Sequence, residues 1–183
     1  MVILGSGGHT SEMLFAIRKI DLNAYAHIAF VSARTDKWSP VKLNDTFLKE
    51  RGIKDFTSSD SRKLSFPKIY RSREVKQSYF TSIFTTLIAT AHSLWILLRI
   101  QPDMIISNGP GTAVPLCYMS FILSKILMFN PGAKILFIES YCRVEHLSLS
   151  GKLLMPICDK FIVHWENLHK QYPKKTKLMR FIV

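Results

Sequence analysis

Gly5-Ser6-Gly7-Gly8-His9-Thr10 lies between a short apolar run, Met1-Val2-Ile3-Leu4, and a segment in which Met13, Leu14, Ile17 and Ile20 recur at helical spacing. Strand, glycine loop and helix, predicted over Thr10 to Ile20, are the opening unit of a Rossmann-like domain. Three glycines let the backbone turn tightly and bring amide N–H groups near an anion at the positive end of the helix. Thr10 or Ser11 is placed to cap that helix, and Glu12 to complement its dipole. A phosphate-bearing ligand is the expected occupant.

The pattern repeats further along. Asp103 to Ser107 reads as a buried strand, Asn108-Gly109-Pro110-Gly111-Thr112 as a tight loop, and Ala113 to Phe129 as an apolar helix broken by Asn130-Pro131-Gly132. Ile28 to Val31, Ile53 to Thr57, Lys134 to Ile138 and Lys160 to His164 read as further strands, with Ile69-Tyr70 as a short one. Ser39-Pro40 starts a helix that ends near Arg51-Gly52, and Gly151 to Cys158 forms another. Strands alternating with helices predict a parallel sheet with helices on both faces. The 183 residues suit a single domain over 1–183, with 172–183 as a carboxyl-terminal tail.

Tyr79 to Ile100 is apolar enough to suggest a membrane span. Phe80, Ile83, Phe84, Leu87, Ile88, Ala91, Leu94, Trp95 and Leu98 nevertheless trace one helical stripe, with Thr, Ser and His on other faces. An amphipathic helix is favoured over a transmembrane one, and its stripe is either core or a bilayer contact.

The formal net charge of +12 calls for an anionic partner. It gathers in Arg62, Lys63, Lys68, Arg71, Arg73 and Lys76, and in Lys170, Lys174, Lys175, Lys177 and Arg180. The three cysteines, Cys117, Cys142 and Cys158, form no pair that would indicate a disulfide framework or a zinc site. No cofactor and no metal are expected.

Both glycine loops belong by topology to one sheet edge, where together they could grip a diphosphate. A dinucleotide fingerprint needs Gly at position 10, where Thr stands, and an acidic residue after the second strand, where Ser32, Ala33 and Arg34 stand. NAD is disfavoured. A stand-alone NADP-dependent oxidoreductase using Arg34 remains an alternative, as does a basic nucleic-acid-binding module. The latter predicts aromatic residues interleaved with the basic clusters, which are sparse here, so no nucleic acid partner is expected. His9, at the mouth of the first loop, is the candidate base for a sugar hydroxyl or a phosphate contact. Glu139, at the carboxyl end of a strand, could orient His9 or bind a sugar. Arg143 is a further candidate for the sugar, or pairs with Glu145.

Gly5-Ser-Gly-Gly-His-Thr-Ser-Glu-Met13, Asn108-Gly-Pro-Gly-Thr112, Ile138-Glu-Ser140, Ser148-Leu-Ser-Gly-Lys152 and Asp159-Lys-Phe-Ile-Val-His-Trp165 occur in this order. In this the chain resembles the membrane-associated, acceptor-side subunit of the eukaryotic dolichol-linked N-acetylglucosaminyltransferase. That family is similar to the amino-terminal half of the bacterial lipid-linked N-acetylglucosaminyltransferase of peptidoglycan synthesis.

The resemblance implies the acceptor half of a two-domain GT-B glycosyltransferase of inverting mechanism, inactive alone. It implies a partner chain that binds UDP-N-acetylglucosamine and is recruited by this one to the cytosolic face of the endoplasmic reticulum membrane. GlcNAc-diphosphodolichol, the acceptor of the second GlcNAc of N-glycan precursor synthesis, would sit with its diphosphate on Gly5, Ser6, Gly7, Gly8, Thr10, Asn108, Gly109, Gly111 and Thr112. His9 would then be the catalytic base, Glu139 and Arg143 would face the sugar, and Leu178, Met179, Phe181, Ile182 and Val183 would dock the partner. Many members carry an amino-terminal anchor, which this sequence does not show ahead of Met1. Attachment is therefore expected to fall to the basic cluster and the Tyr79 to Ile100 helix.

Overall fold

In the computed structural model, which describes residues 1–53, 64–72 and 79–179, every strand pairs in parallel with its neighbours. The strands are β1 (Val2–Ile3), β2 (Ile28–Ala33), β3 (Leu64–Ser65), β4 (Lys68–Ile69), β5 (Met104–Ser107), β6 (Lys134–Ile138), β7 (Lys160–Val163) and β8 (Thr176–Leu178). Their order is β3-β2-β1-β5-β6-β7-β8, with β4 also on β2. The helices are α1 (Gly8–Ala16), α2 (Trp38–Lys42), α3 (Tyr79–Ile100), α4 (Ala113–Phe121), α5 (Leu149–Leu154) and α6 (Glu166–Gln171). The expected α/β class and parallel sheet are both present.

Two apolar layers hold the sheet. On one face Ile105, Ile135, Phe137, Phe161 and Val163 pack against Ile96 and Leu97 of α3, Leu116 and Cys117 of α4, Leu154 of α5 and Leu168 of α6. On the other, Val2, Leu4, Phe30, Ile106, Ile138 and Ile162 share a cluster with Met13 and Leu14 of α1 and with Leu43 and Phe47 just beyond α2.

Several boundaries differ from the sequence reading. Helix α1 starts at Gly8 and ends at Ala16, with neither Thr10 nor Ser11 as its cap. Gly7, at φ 65°, makes the turn into it, and the Thr10 hydroxyl reaches back to the Gly5 carbonyl, which closes the loop tightly enough to begin the helix earlier. Glu12 therefore lies beyond the first turn. Ile53 is not in a strand, and residues 54–57 of that predicted strand lie outside the described residues. Instead β3 and β4, interrupted by Pro67, run beside β2, and the Pro67 carbonyl accepts the Ser32 amide at 3.2 Å. The helix from Trp38 continues through a π-type turn to Arg51 and stops at Gly52, φ 70°, as predicted. Helix α4 gives way at Ile122 to a π-type turn that ends before Met128, φ 53°. Helix α5 begins at Leu149 because Ser148 caps it, accepting the Gly151 amide at 2.9 Å.

Helix α3 keeps its predicted limits and reverses the usual sense of amphipathicity. Among its described side chains Ala89, Ser93, Ile96 and Leu97 are buried, and the Thr85 and Thr86 hydroxyls bond to the Ser72 carbonyl at 2.6 and 3.2 Å. The stripe residues Ile83, Phe84, Leu87, Ile88, Trp95 and Leu98 are 42–62% exposed, so most of the stripe is not core, while Leu94 packs against the core cluster and the Phe80 side chain lies outside the described residues. Ile126, Leu127, Met128 and Phe129, after the neighbouring α4, are exposed as well. By length and composition, Ser82–Ile100 could cross a membrane, yet it lies along its own domain.

Candidate anion site at the switch of the sheet

The sheet runs outward in both directions from the β1–β5 pair, so the crevice beyond their carboxyl ends is the topological switch point. Both glycine loops open there. The N-termini of α1 and α4 converge on the crevice, each turning the positive end of a helix dipole toward it; in α4 the Ala113 and Val114 amides bond to the Pro110 and Gly111 carbonyls at 2.8 and 3.2 Å.

The loops are locked together. Asn108 Nδ2 donates to the His9 carbonyl at 2.6 Å, across the switch. Behind the first loop the Gly5 carbonyl accepts from Thr10 Oγ1 and, at 3.0 Å, from Ser39 Oγ. Asp36 in turn accepts the Trp38 and Ser39 amides at 3.0 Å each, fixing Ser39. Thr10, Ser39 and Asp36 are buried, which makes this polar network part of the frame and leaves the glycine amides for a ligand. Gly109, at φ 101°, makes the corresponding turn in the second loop, and Ser72 Oγ donates to the Gly111 carbonyl at 3.3 Å.

His9 is 39% exposed, while its Nδ1 is buried and lies 3.8 Å from Glu12 Oε2. That distance is too long for a hydrogen bond and short enough for Coulomb stabilisation of an imidazolium. Glu12 Oε1 accepts the Ser140 hydroxyl at 3.0 Å, which holds the carboxylate beneath the ring. An imidazole beside a carboxylate at the mouth of a loop is the kind of pair that can act as a general base. Among the described residues, the buried Asn108 Oδ1, His9 Nδ1 and Glu12 Oε2 all lack a hydrogen-bond partner.

Arg71, at the carboxyl end of β4, donates from Nη2 to Ser6 Oγ at 2.9 Å. It supplies the cationic side chain that the glycine loops lack. Sequence reasoning placed Arg71 only within a basic cluster, and Glu12 only as a dipole complement. The spacing of Glu12 three residues after His9 on one helix was the available signal; nothing local pointed from Arg71 to Ser6.

Other predicted residues lie elsewhere. Glu139 is 1% exposed, and its carboxylate accepts the Ser140 amide, the Ser148 amide and the Ser148 hydroxyl at 2.9–3.1 Å. It anchors the start of α5, and no hydrogen bond or ion pair joins it to His9. Arg143 is exposed on the turn after β6, and no ion pair joins it to Glu145. Arg34, the residue on which NADP binding would depend, stacks over Tyr70 at 4.6 Å and donates to its hydroxyl at 2.5 Å. Leu178 belongs to β8 on this domain's own sheet, and the Met179 amide bonds to the Val163 carbonyl at 2.9 Å. Phe181, Ile182 and Val183 lie outside the described residues. Among those described, no three His, Cys, Asp or Glu side chains gather in one place.

Residues 1–181 match the family described as oligosaccharide biosynthesis protein Alg14 like. The chain belongs to the Alg14 family. UDP-N-acetylglucosamine transferase subunit ALG14 of Mus musculus is 40% identical over 185 residues, covering all of this chain and 82% of the mouse protein. The Homo sapiens subunit is 41% identical over 189 residues with the same coverage, and that of Candida albicans is 42% identical over 173 residues, spanning 94% of this chain and 73% of the yeast protein. Among solved structures, MurG of Acinetobacter baumannii superposes with a TM-score of 0.66 at 14% identity, over 98% of this chain and 44% of that one. This likeness concerns the fold: the Alg14 family chain has the Rossmann-like architecture of part of a GT-B glycosyltransferase, as the sequence resemblance implied.

Proposed function

We propose that this chain is the acceptor-binding subunit of a heteromeric UDP-N-acetylglucosamine transferase that adds the second GlcNAc to GlcNAc-diphosphodolichol. The observation that carries the reading is the pair of glycine loops held as one unit by Asn108 and His9, with two helix N-termini and Arg71 around them. A diphosphate suits that arrangement because its two groups can each take amide donors from one loop. The names of the mammalian and yeast relatives supply the donor sugar and the word subunit.

In the proposed reaction the acceptor hydroxyl attacks the anomeric carbon of the donor, forming the new C–O bond as the bond to UDP breaks. His9 Nε2 takes the hydroxyl proton, and Glu12 stabilises the imidazolium. The diphosphate loops contribute by fixing the acceptor, a positioning effect worth several kcal/mol when the hydroxyl is held near the carbon. The donor is bound by a separate catalytic chain, and this one is inactive alone.

Attachment follows from α3. Its outward Ile, Phe, Leu and Trp side chains, roughly half exposed, would each gain about 1 kcal/mol on entering the acyl boundary of a bilayer. The proposed site is the cytosolic face of the endoplasmic reticulum membrane, where the lipid acceptor also resides. Transfer from UDP-N-acetylglucosamine to a short-chain GlcNAc-diphosphate lipid is the test, run with this chain, with its partner and with both. Product from the mixture alone is expected; full activity from the partner alone would remove the role.

A further inference from the structure

Tyr70, Arg71 and Ser72, directly after β4, lie between α3 and both glycine loops. Toward the loops, Arg71 Nη2 donates to Ser6 Oγ at 2.9 Å, and Ser72 Oγ donates to the Gly111 carbonyl at 3.3 Å. Toward α3, the Ser72 carbonyl accepts the Thr85 and Thr86 hydroxyls at 2.6 and 3.2 Å. The Tyr70 amide also donates to His92 Nδ1 at 3.4 Å, and the two rings meet edge to face with centroids 5.2 Å apart. These three residues therefore tie one helix to the first loop through Arg71 and to the second through Ser72. Ser72 is buried, so losing the donors to its carbonyl would leave a polar group without a ready substitute in water.

The first half of α3 depends on these fastenings. Buried positions in the helix begin at Ala89 and continue with Ser93, Ile96 and Leu97, whereas from Ser82 to Ile88 no side chain is buried. A stretch with few buried apolar contacts opens locally at low cost. Over those same turns Thr85 and Thr86 hold the domain, while Ile83, Phe84, Leu87 and Ile88 stand 53–62% exposed.

We propose that Thr85 and Thr86 are positioning residues for the diphosphate site. Through the Ser72 carbonyl they set Arg71 against Ser6 and the Ser72 hydroxyl against Gly111, so acceptor affinity follows how firmly the first half of α3 is held. The inference rests on the functional reading above and adds a coupling to it. A bilayer that takes up Ile83, Phe84, Leu87 and Ile88 restrains the turns that carry the two threonines, and lipid contact thereby tightens the grip on a diphosphate. By linkage, a bound diphosphate tightens the hold on lipid to the same degree.

The experiment compares wild type with two double variants. Thr85→Val with Thr86→Val keeps the branched shape and removes both donors; Thr85→Ser with Thr86→Ser keeps the donors. Binding of inorganic pyrophosphate to the full chain is measured with and without phosphatidylcholine vesicles. The KM values for a short-chain GlcNAc-diphosphate lipid and for UDP-N-acetylglucosamine are measured with the donor-binding partner present. Vesicles should strengthen pyrophosphate binding by wild type about fivefold or more. The valine pair should lose that gain and raise the acceptor KM about fivefold or more, with the donor KM unchanged. The serine pair should behave as wild type. Ser72→Ala should raise the acceptor KM too, and less than additively in combination with the valine pair, since all three side chains act along one connection. Should the valine pair fail to fold, the vesicle effect in wild type and its reduction in Ser72→Ala carry the test. A folded valine pair with wild-type acceptor KM and an undiminished vesicle effect would overturn the proposal and leave the functional reading intact. So would a wild type that floats with the vesicles and binds pyrophosphate equally well without them. A lowered unfolding midpoint with both KM values unchanged would mark the threonines as stabilising only and would also overturn it. If wild type binds no pyrophosphate or does not float, the functional reading fails first and this inference falls with it.

Discussion

Gly5→Ala is the substitution for which the structure makes the sharpest demand. A Cβ at position 5 would stand 2.7 Å from the His9 Cβ and 3.0 and 3.1 Å from Pro110 Cβ and Cγ. Carbon atoms ordinarily meet at about 3.5–4.0 Å, so the overlap with His9 is on the order of 1 Å. No rotamer relieves it, because the first atom belongs to a helix and the others to a proline ring. The loops must part, although the Thr10 and Ser39 hydroxyls hold the Gly5 carbonyl and Asn108 holds that of His9. Overpacking of this kind costs about 1–3 kcal/mol of stability, and displacement of a positioning group by about 1 Å costs on the order of a hundredfold in turnover. Thermal unfolding of the purified chain reads the first quantity and transfer in the reconstituted complex reads the second. Gly8→Ala is the comparator, since a Cβ there meets nothing within 4 Å and its φ is not positive, so its stability should match or exceed wild type. Wild-type unfolding and wild-type transfer by Gly5→Ala would refute the claim that the two loops are packed as one device.

His9→Ala should lower turnover by about two to four orders of magnitude while acceptor affinity is largely kept; unchanged turnover in His9→Ala would remove it as the base. Arg71→Ala should raise the acceptor KM by roughly tenfold or more with a smaller effect on the donor KM, as expected for a charged contact with the diphosphate. Leu87→Glu combined with Trp95→Glu should shift the chain from liposome-bound to free in flotation, with its unfolding midpoint retained, because both side chains are exposed. In the native chain only Cys142 should react quickly with a thiol reagent: burial raises the Cys117 thiol far above its ordinary value, and burial followed by the nearby Asp159 carboxylate pushes Cys158 up to about 12. Equal reactivity of all three would contradict the packing beneath α4.

The glycine loops and their strands were legible because turn chemistry and apolar runs are local signals, read correctly for Gly5–Thr10, Asn108–Thr112 and Lys134–Ile138. Helix α3 was legible in its limits and ambiguous in its orientation. Periodicity identifies the apolar stripe but does not say which side the fold uses, and here Thr85, Thr86 and Ser93 bond to backbone carbonyls on the domain side. Strand β3 escaped because two residues ahead of Pro67 give no pattern of their own, whereas the reading of Ile69-Tyr70 as a short strand found β4 to within a residue. Glu139 looked like a site residue from its place at a strand end, and only the three donors around its carboxylate reveal its structural employment. Arg71 and Ser6 are 65 residues apart in sequence, so their meeting belongs to the topology.

The same topology has a kinetic side. Strand β1 contributes only two residues, and one of its two neighbours, β5, reaches it after a hundred residues of intervening chain; the bond from Asn108 to His9 spans 99 positions. Contacts of such long range carry a large loop-closure cost and form late, after the local helices and the β5 to β8 succession have something to dock against. The crevice is thus among the last parts of the molecule to take shape, and a molecule caught short of that step would hold most of its secondary structure while having no place for a diphosphate.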